Sequence, residues 1–328
     1  MTERSRPAVI LRYDLRAPSF GPTSAELVAA ALEQATFADA HGFERVQISE
    51  HHHTEDGYCP SPFVVAAAFA ARTSQLRIRL SALILTLHDP VRAAEDLAML
   101  DIVSNGRAEA VVAAGYREIE FRMLGRDYAD RGTRLREAIT ALRAAWTGEP
   151  FEYDGRRALV RPRPVQPAGP PLILGGSTRR AARRAAEIGD GFDPTDPELI
   201  ADYLEACTDA RRTPGEARPR VGPFFVHVSE DPERDRARLA PHVHHEMTQY
   251  ARWAAIGSPV GGAPDLPIEA VWTDGSHVVL TPEECVELLR GLDPTGVFAL
   301  HPLAGGTPPA MAEQSLSLFV DRVLPALT

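Results

Sequence analysis

Short apolar runs alternate with longer stretches in which apolar positions return every three or four residues, from one end of the chain to the other. The runs at 8–13, 45–49, 77–85, 107–114, 172–174, 191–193, 220–228 and 297–300 predict strands. The periodic stretches predict helices over 24–42, 60–73, 90–105, 131–146, 178–188 and 197–212. Two more are predicted, one opening at Thr281-Pro282-Glu283-Glu284 and one over 308–324. Leu135, Ile139, Leu142 and Ala145 mark one stripe of the long helix, and Pro90 suits the first turn of its own. A hairpin is predicted over 151–163, around Asp154-Gly155.

Eight strands, each followed by a helix, predict a parallel sheet with right-handed crossovers. At this length the expected architecture is one domain, 1–328, folded as a single (β/α)8 TIM barrel with insertions. A doubly wound open sheet is the alternative, and no GxGxxG follows the first strand to support it. One stretch breaks the alternation. Over 252–279 the chain is rich in Pro and Gly yet carries Ile256, Val260, Leu266, Ile268, Val271 and Trp272. An apolar loop of this length after strand seven predicts a lid or pocket wall.

Composition narrows the chemistry. The chain has no lysine, so all 35 cationic side chains are arginines. A Schiff-base lysine, a Walker P-loop and a protein kinase are thereby excluded. The net charge of −10 argues against a nucleic-acid partner. With no membrane-length apolar run and no signal-peptide start, the expected setting is cytoplasmic, with no membrane partner. Cys59, Cys207 and Cys285 are odd in number and far apart, and read as reduced thiols.

In a TIM barrel the reacting groups follow the strands' C-terminal ends. After strand two comes Glu50-His51-His52-His53-Thr54-Glu55-Asp56-Gly57. Ser81-Ala82 lie at the end of strand three, Gly115-Tyr116-Arg117-Glu118 after strand four and Gly175-Gly176-Ser177-Thr178 after strand five. Three adjacent histidines suggest metal, but neighbours in sequence point apart and no carboxylate stands at a ligand spacing. No metal site is therefore expected there, nor at His242, His244 and His245. His53 and the second cluster read as solvated or hydrogen-bonded loop residues. The glycine turn offers backbone N–H groups to a phosphate at a helix start. Arg179 and Arg180 lie in that first turn, where a cation costs about 0.3–1 kcal/mol unless an anion is bound.

With these residues in view, the sequence resembles the luciferase-like flavin monooxygenases. The likeness runs through Glu50-His51-His52-x-Thr54-Glu55-x-Gly57, Asp89-Pro90-Val91-Arg92-x-Ala94-Glu95-Asp96 and Leu100-Asp101-x-x-Ser104-x-Gly106-Arg107. It returns at Ala185-Ala186-Glu187 and Thr281-Pro282-Glu283-Glu284-Cys285. The resemblance implies a barrel holding a reduced flavin, with His51 as the catalytic histidine supporting the oxygen chemistry and its proton transfers. It implies a non-proline cis peptide at Ser81–Ala82 behind the ring system and a phosphate loop at Gly176, Ser177 and Thr178. Gly175, Gly115 and Tyr116 are placed at the cofactor and His52 in the substrate pocket, with Trp272 on the lid. The sequence departs from luciferase at Ala114, where an arginine holding the flavin phosphate is expected, and at Ala113, where a reactive cysteine stands. Arg131 and Arg134 are the candidates for a second phosphate-binding arginine.

The resemblance implies a monooxygenase using reduced FMN from a separate flavin reductase, and O2, to oxidise a small organic substrate, and the apolar 252–279 stretch suggests that this substrate is hydrophobic or partly hydrophobic. Hydroxylation and Baeyer–Villiger insertion are the implied reaction types. Two alternatives remain open: a deazaflavin-dependent oxidoreductase transferring hydride, and a non-catalytic flavin-binding subunit. The helices over 64–71 and 93–102 match luciferase's dimer bundle, so a homodimer is implied, with a heterodimer of two different chains, as in luciferase, as the alternative.

Overall fold

The computed structural model describes residues 6–254 and 264–327. In chain order the elements are β1 Ala8–Tyr13, α1 Ser24–Ala40, β2 Arg45–Ile48, α2 Pro62–Arg72, β3 Arg77–Leu83, α3 Pro90–Ser104 and β4 Ala108–Val112. Then come α4 Glu118–Met123, α5 Arg131–Trp146, β5 Phe151–Tyr153, β6 Arg156–Ala158, β7 Leu172–Gly176, α6 Arg179–Ile188, β8 Gly191–Pro194 and α7 Leu199–Asp209. The chain closes with β9 Phe225–Val228, α8 Pro232–Ala254, β10 His277–Leu280, α9 Pro282–Arg290, β11 Val297–Leu300 and α10 Pro309–Leu318.

It divides into two compact units. The first comprises Met1–Val46, Thr54–Cys59 and Pro219–Thr328, the second Gln47–His53 and Pro60–Arg218. In the second unit β3, β4, β7 and β8 are parallel neighbours in that order. One face of these strands is apolar throughout, with Ile78, Leu80, Ala110, Val112, Leu172 and Leu174 buried, while the other face also carries charge. Arg79, itself buried, is neutralised by Glu109 at 2.6 Å and Glu216 at 2.8 Å. The β5–β6 hairpin is antiparallel around Asp154-Gly155, both at positive φ, as the Asp-Gly pair predicts.

In the first unit β1 pairs with β11 in parallel, Ala8 opposite Val297. The predicted seventh strand is in fact two pieces. Arg220 bridges Val297, and the chain then turns at Gly222, with φ of 80°. After Pro223, β9 pairs in parallel with β10. A proline has no N–H for a ladder, so Gly222-Pro223 breaks what the apolar pattern reads as one strand.

The 252–279 expectation is corrected in part. Arg252 belongs to the 23-residue helix α8, and 277–279 belong to β10. Val271 is fully buried in a cluster with Phe225, Leu239, Val243, Val279, Ala304 and Met311, and Leu266 and Trp272 pack against it. Val271 is thus a core position of the first unit, Leu266 and Trp272 are partly buried against it, and Ile268 is exposed. Ile256 and Val260 lie outside the described residues.

Candidate active site

The second unit carries all but one of the site residues read from the sequence. β2 ends at Ile48, and the next residues supply two buried carboxylate–histidine pairs. Glu50 is fully buried and both of its oxygens are used: Oε1 by His52 Nε2 at 2.9 Å and His88 Nε2 at 2.8 Å, Oε2 by the Ile84 N–H at 2.6 Å. Burial raises the Glu50 pKa, but these hydrogen bonds outweigh it and bring it down to about 2. The Ile84 contact fastens Glu50 to the chain just past the register shift between Ser81 and Leu83, where the Ser81–Ala82 peptide is cis.

His51 is buried and held from both sides. Its Nδ1 lies 2.8 Å from Glu120 Oε1, and its Nε2 lies 3.1 Å from the Tyr116 hydroxyl. Glu120, with no exposed surface, also accepts from the His52 N–H at 3.0 Å and Arg117 Nη1 at 2.7 Å on the same oxygen. Burial pushes its carboxyl up; His51, the His52 N–H and Arg117 overcome that and hold it below the usual value. A carboxylate can only accept, so Nδ1 donates, and a neutral His51 presents an unprotonated Nε2 to the phenol. This is a carboxylate–imidazole–phenol line able to take up or hand on a proton at Nε2.

The local fold explains the alignment. Gly115 has φ of 74°, and a Cβ there would come within 2.8 Å of Ile84 Cγ2 and 2.9 Å of the Phe121 ring. Only glycine lets the chain turn there. Phe121 then packs with Ile84 and Leu87, which seats α4 and turns Glu120 inward. Tyr128 Oη donates to the Tyr116 carbonyl at 3.0 Å. Arg131 lies 3.8 Å over the Tyr128 ring, with Nε donating to the Gly115 carbonyl at 3.2 Å. Arg131 thus braces this loop. Arg134 is half-buried, within electrostatic reach of Tyr153.

Gly175 and Gly176 end β7, and Ser177 and Thr178 are exposed. Thr178 caps α6, its hydroxyl accepting from the Ala181 N–H at 3.2 Å. A Cβ on Gly176 would fall 2.3 Å from Ala181 Cβ, so glycine allows the tight strand-to-helix turn. The arginines behind it divide their work. Arg179 pairs with Asp202 at 3.4 Å and Arg136 with Glu187 at 2.7 Å. Arg184 is half-buried, and its pKa is lowered first by burial and then by the charges of Arg180 and Arg136, which together outweigh the opposing charge of Glu187; Arg131 adds a smaller push. Such mutual repulsion marks a place where an anion lowers the energy.

The adjacent histidines diverge. His51 faces Glu120 and His52 faces Glu50, while His53 is exposed at φ of 52°. In the first unit His242 reaches the Gly305 carbonyl, His244 the Leu266 carbonyl and His245 Asp56, at 3.0, 2.7 and 2.8 Å. Trp272 lies 6.5 Å from Phe225, ring to ring.

Sequence reasoning missed Glu120. Glu118 and Glu120 are two carboxylates in one short charged run, and only the packing of Phe121 selects the inward one. It also missed a buried charged cluster in the first unit: Arg12, Asp14, Arg16, Glu246 and His301. No local motif joins residues this far apart in sequence.

The family model described as luciferase-like monooxygenase matches residues 14–297, and the chain belongs to that family. An F420-dependent glucose-6-phosphate dehydrogenase of Nakamurella multipartita is 27% identical over 98% of this chain and 97% of its own. A monooxygenase of Streptomyces bottropensis superposes with a TM-score of 0.80, at 23% identity, over 98% of this chain and 100% of its own. The oxygenating constituent of 3,6-diketocamphane monooxygenase of Pseudomonas putida, solved with FMN, gives 0.74 at 22% identity over 98% of both chains. The α/β fold is therefore shared with these structures. Among the described residues no helix is long and apolar enough to cross a membrane.

Proposed function

We propose that this chain is the oxygenase component of a two-component flavin monooxygenase, taking reduced FMN from a separate reductase and using O2 to oxidise a small organic substrate. The observation that carries the reading is the Glu120–His51–Tyr116 line, a proton-transfer group whose tautomer is set by a buried carboxylate. The donor set suits the cofactor. The turn at Gly176, Ser177 and Thr178, with Arg180 and Arg184 behind it, would hold the phosphate, and the self-repulsion of those arginines is what a phosphate relieves. Bound reduced flavin supplies the electrons for O2 activation. The chain's own residues orient it, exclude water and move a proton at His51 Nε2. Val64, Met99 and Val103, exposed on α2 and α3, support a homodimer, and a cytoplasmic setting fits the composition.

A deazaflavin-dependent hydride transfer is the second reading. It is favoured by the excess of arginine at the phosphate turn, where Arg180 and Arg183 are both exposed and could meet a longer anionic tail. Anaerobic titration of the protein with reduced FMN and with the reduced deazaflavin, side by side, separates the two. Tight quenching by reduced FMN is expected; binding of the deazaflavin alone overturns the monooxygenase reading in favour of the second. A flavin-binding subunit without catalysis is excluded if His51→Ala abolishes turnover and keeps binding.

A further inference from the structure

Two buried carboxylates hold the adjacent histidines in opposite ways, and only one of the two belongs to the proton line. Glu120 meets His51 at Nδ1, 2.8 Å away. Glu50 meets His52 at Nε2, 2.9 Å away, and its same oxygen takes a second imidazole, His88 Nε2 at 2.8 Å. The other Glu50 oxygen accepts from the Ile84 N–H at 2.6 Å. Phe63 meets the His88 ring edge to face, 5.7 Å between centroids, and so fixes that ring from α2. All of these residues belong to the second unit.

Glu50 does not carry a proton. Burial pushes its carboxyl up, but the hydrogen bonds from His52, His88 and Ile84 outweigh it and leave the pKa at about 2. At neutral pH it is a carboxylate, and a carboxylate only accepts. Each of the two rings therefore donates from a protonated Nε2, the reverse of His51. Burial works against a charge on His88, but Glu50 and Asp96 favour it, against Arg126, and the balance raises its pKa. His88 thus supplies the countercharge to Glu50, and His52 needs no charge of its own to act as donor.

The rest of His52 is pinned as well. Its N–H donates to Glu120 at 3.0 Å, and its carbonyl accepts from Arg117 Nη1 at 2.7 Å. The backbone of His52 is therefore tied to the carboxylate that holds His51. Nδ1 is left over. It has no hydrogen-bond partner among the described residues, it is not one of the sealed polar atoms, and the side chain keeps 11% of its surface exposed. In the neutral ring this nitrogen carries no proton and can only accept.

We propose that Glu50 is a positioning residue for the reaction at His51: it locks His52 with the proton on Nε2, so that His52 meets the reacting molecules as a hydrogen-bond acceptor through Nδ1. The inference rests on the oxygenase reading above. A buried carboxylate between two imidazoles is a weak device for stability, since apolar side chains of similar size often pack better in its place. What it supplies, and apolar packing cannot, is one tautomer on a ring with an open nitrogen.

Glu50→Gln has a definite outcome in this geometry. With the amide oxygen on the Ile84 N–H, the amide NH2 faces both rings and can donate one N–H to each. Both rings must then accept at Nε2, and their protons move to Nδ1. His52 turns from acceptor to donor, while His51 keeps Glu120.

Nitrogen-15 NMR of the full chain without flavin reads the tautomers. Nε2–H on His52 and His88 with Nδ1–H on His51 is expected in the wild type, and reversal at His52 with His51 unchanged in Glu50→Gln. The reaction is read as stopped-flow decay of reduced flavin with O2, per folded molecule. Glu50→Gln and His52→Phe should each slow it about ten-fold or more, the loss of one hydrogen bond to the reacting molecules. The double variant should be no slower than His52→Phe, because Glu50 acts through His52. A wild-type His52 proton on Nδ1, an unreversed tautomer in folded Glu50→Gln, decay in His52→Phe within a factor of two of wild type, or losses that multiply in the double variant would each overturn the proposal. If circular dichroism shows Glu50→Gln unfolded, the wild-type tautomers and His52→Phe decide, since His52→Phe leaves Glu50 its His88 and Ile84 donors. A failed reduced-FMN titration removes the reaction and leaves the tautomers as measured, so the two failures are told apart.

Discussion

Removing the Glu120 carboxylate tests the proton line directly. One oxygen of this fully buried group accepts from His51 Nδ1, the His52 N–H and Arg117 Nη1, at 2.8, 3.0 and 2.7 Å. Glu120→Ala leaves a 6% exposed Arg117 without its carboxylate, and breaking such a pair costs about 3–5 kcal/mol. Glu120→Gln keeps the shape and an acceptor oxygen but loses the charge. About 1–3 kcal/mol of destabilisation is expected from weakened charge-assisted bonds. The larger effect falls on chemistry. A neutral amide no longer forces Nδ1 to carry the proton, so the tautomer presenting an unprotonated Nε2 to Tyr116 becomes one of two. If proton transfer at His51 contributes about 10²–10⁴-fold, as general acid–base groups do, turnover falls by about that range while reduced-FMN affinity changes little. Urea midpoints report stability, nitrogen-15 NMR of the imidazole reports the tautomer, and stopped-flow decay of reduced flavin reports turnover. An unchanged His51 tautomer in Glu120→Gln, or turnover within a factor of two of wild type, would refute the reasoning.

Gly115→Ala forces a side chain into φ of 74° and against Ile84 and Phe121; about 1–3 kcal/mol of destabilisation is expected, with a turnover loss larger than that of an unrelated variant of equal stability. Arg184→Ala removes one of a set of repelling charges. Apo stability should hold within about 0.5 kcal/mol, and FMN affinity should fall and become less salt-dependent. His227, 3% exposed on β9, has its pKa lowered by burial to about 4. Its folded value lies below the unfolded one near 6.5, so the unfolded chain takes up the proton first. Its contribution is fully present above pH 6.5 and is lost as pH falls towards 4, on the order of 3 kcal/mol in all. Urea midpoints at pH 7 and 4.5 should drop less in His227→Asn than in wild type; an equal drop would remove His227 as the cause.

The reading from sequence went furthest where the signal is local. Strand and helix order followed from apolar periodicity, and the 131–146 helix agrees at both ends. Asp154-Gly155 marked its hairpin. It went astray where the pattern is ambiguous. The apolar run across Gly222-Pro223 hides a break between two strand pairings, and Pro241 with three nearby histidines obscures the helix α8. Within 264–279 the apolar pattern does not tell core from surface: Val271 packs with Phe225 and Val279, while Ile268 is exposed.

By itself, then, the sequence determined the succession of elements, the exclusion of lysine chemistry, the glycine turn before α6 and the presence of His51. Each depends on residue types close together in the chain, whose periodicity and turn chemistry act over a few residues. Tertiary structure alone decided which carboxylate serves which histidine, that Arg131 braces a loop, and that Arg12, Asp14, Glu246 and His301 share one buried group. Apart from Glu50 with His52, the decisive contacts join residues tens to hundreds of positions apart, such as His51 with Glu120 and His88 with Glu50. Their charges and tautomers follow from burial and from distances of about 3 Å, which no local pattern encodes.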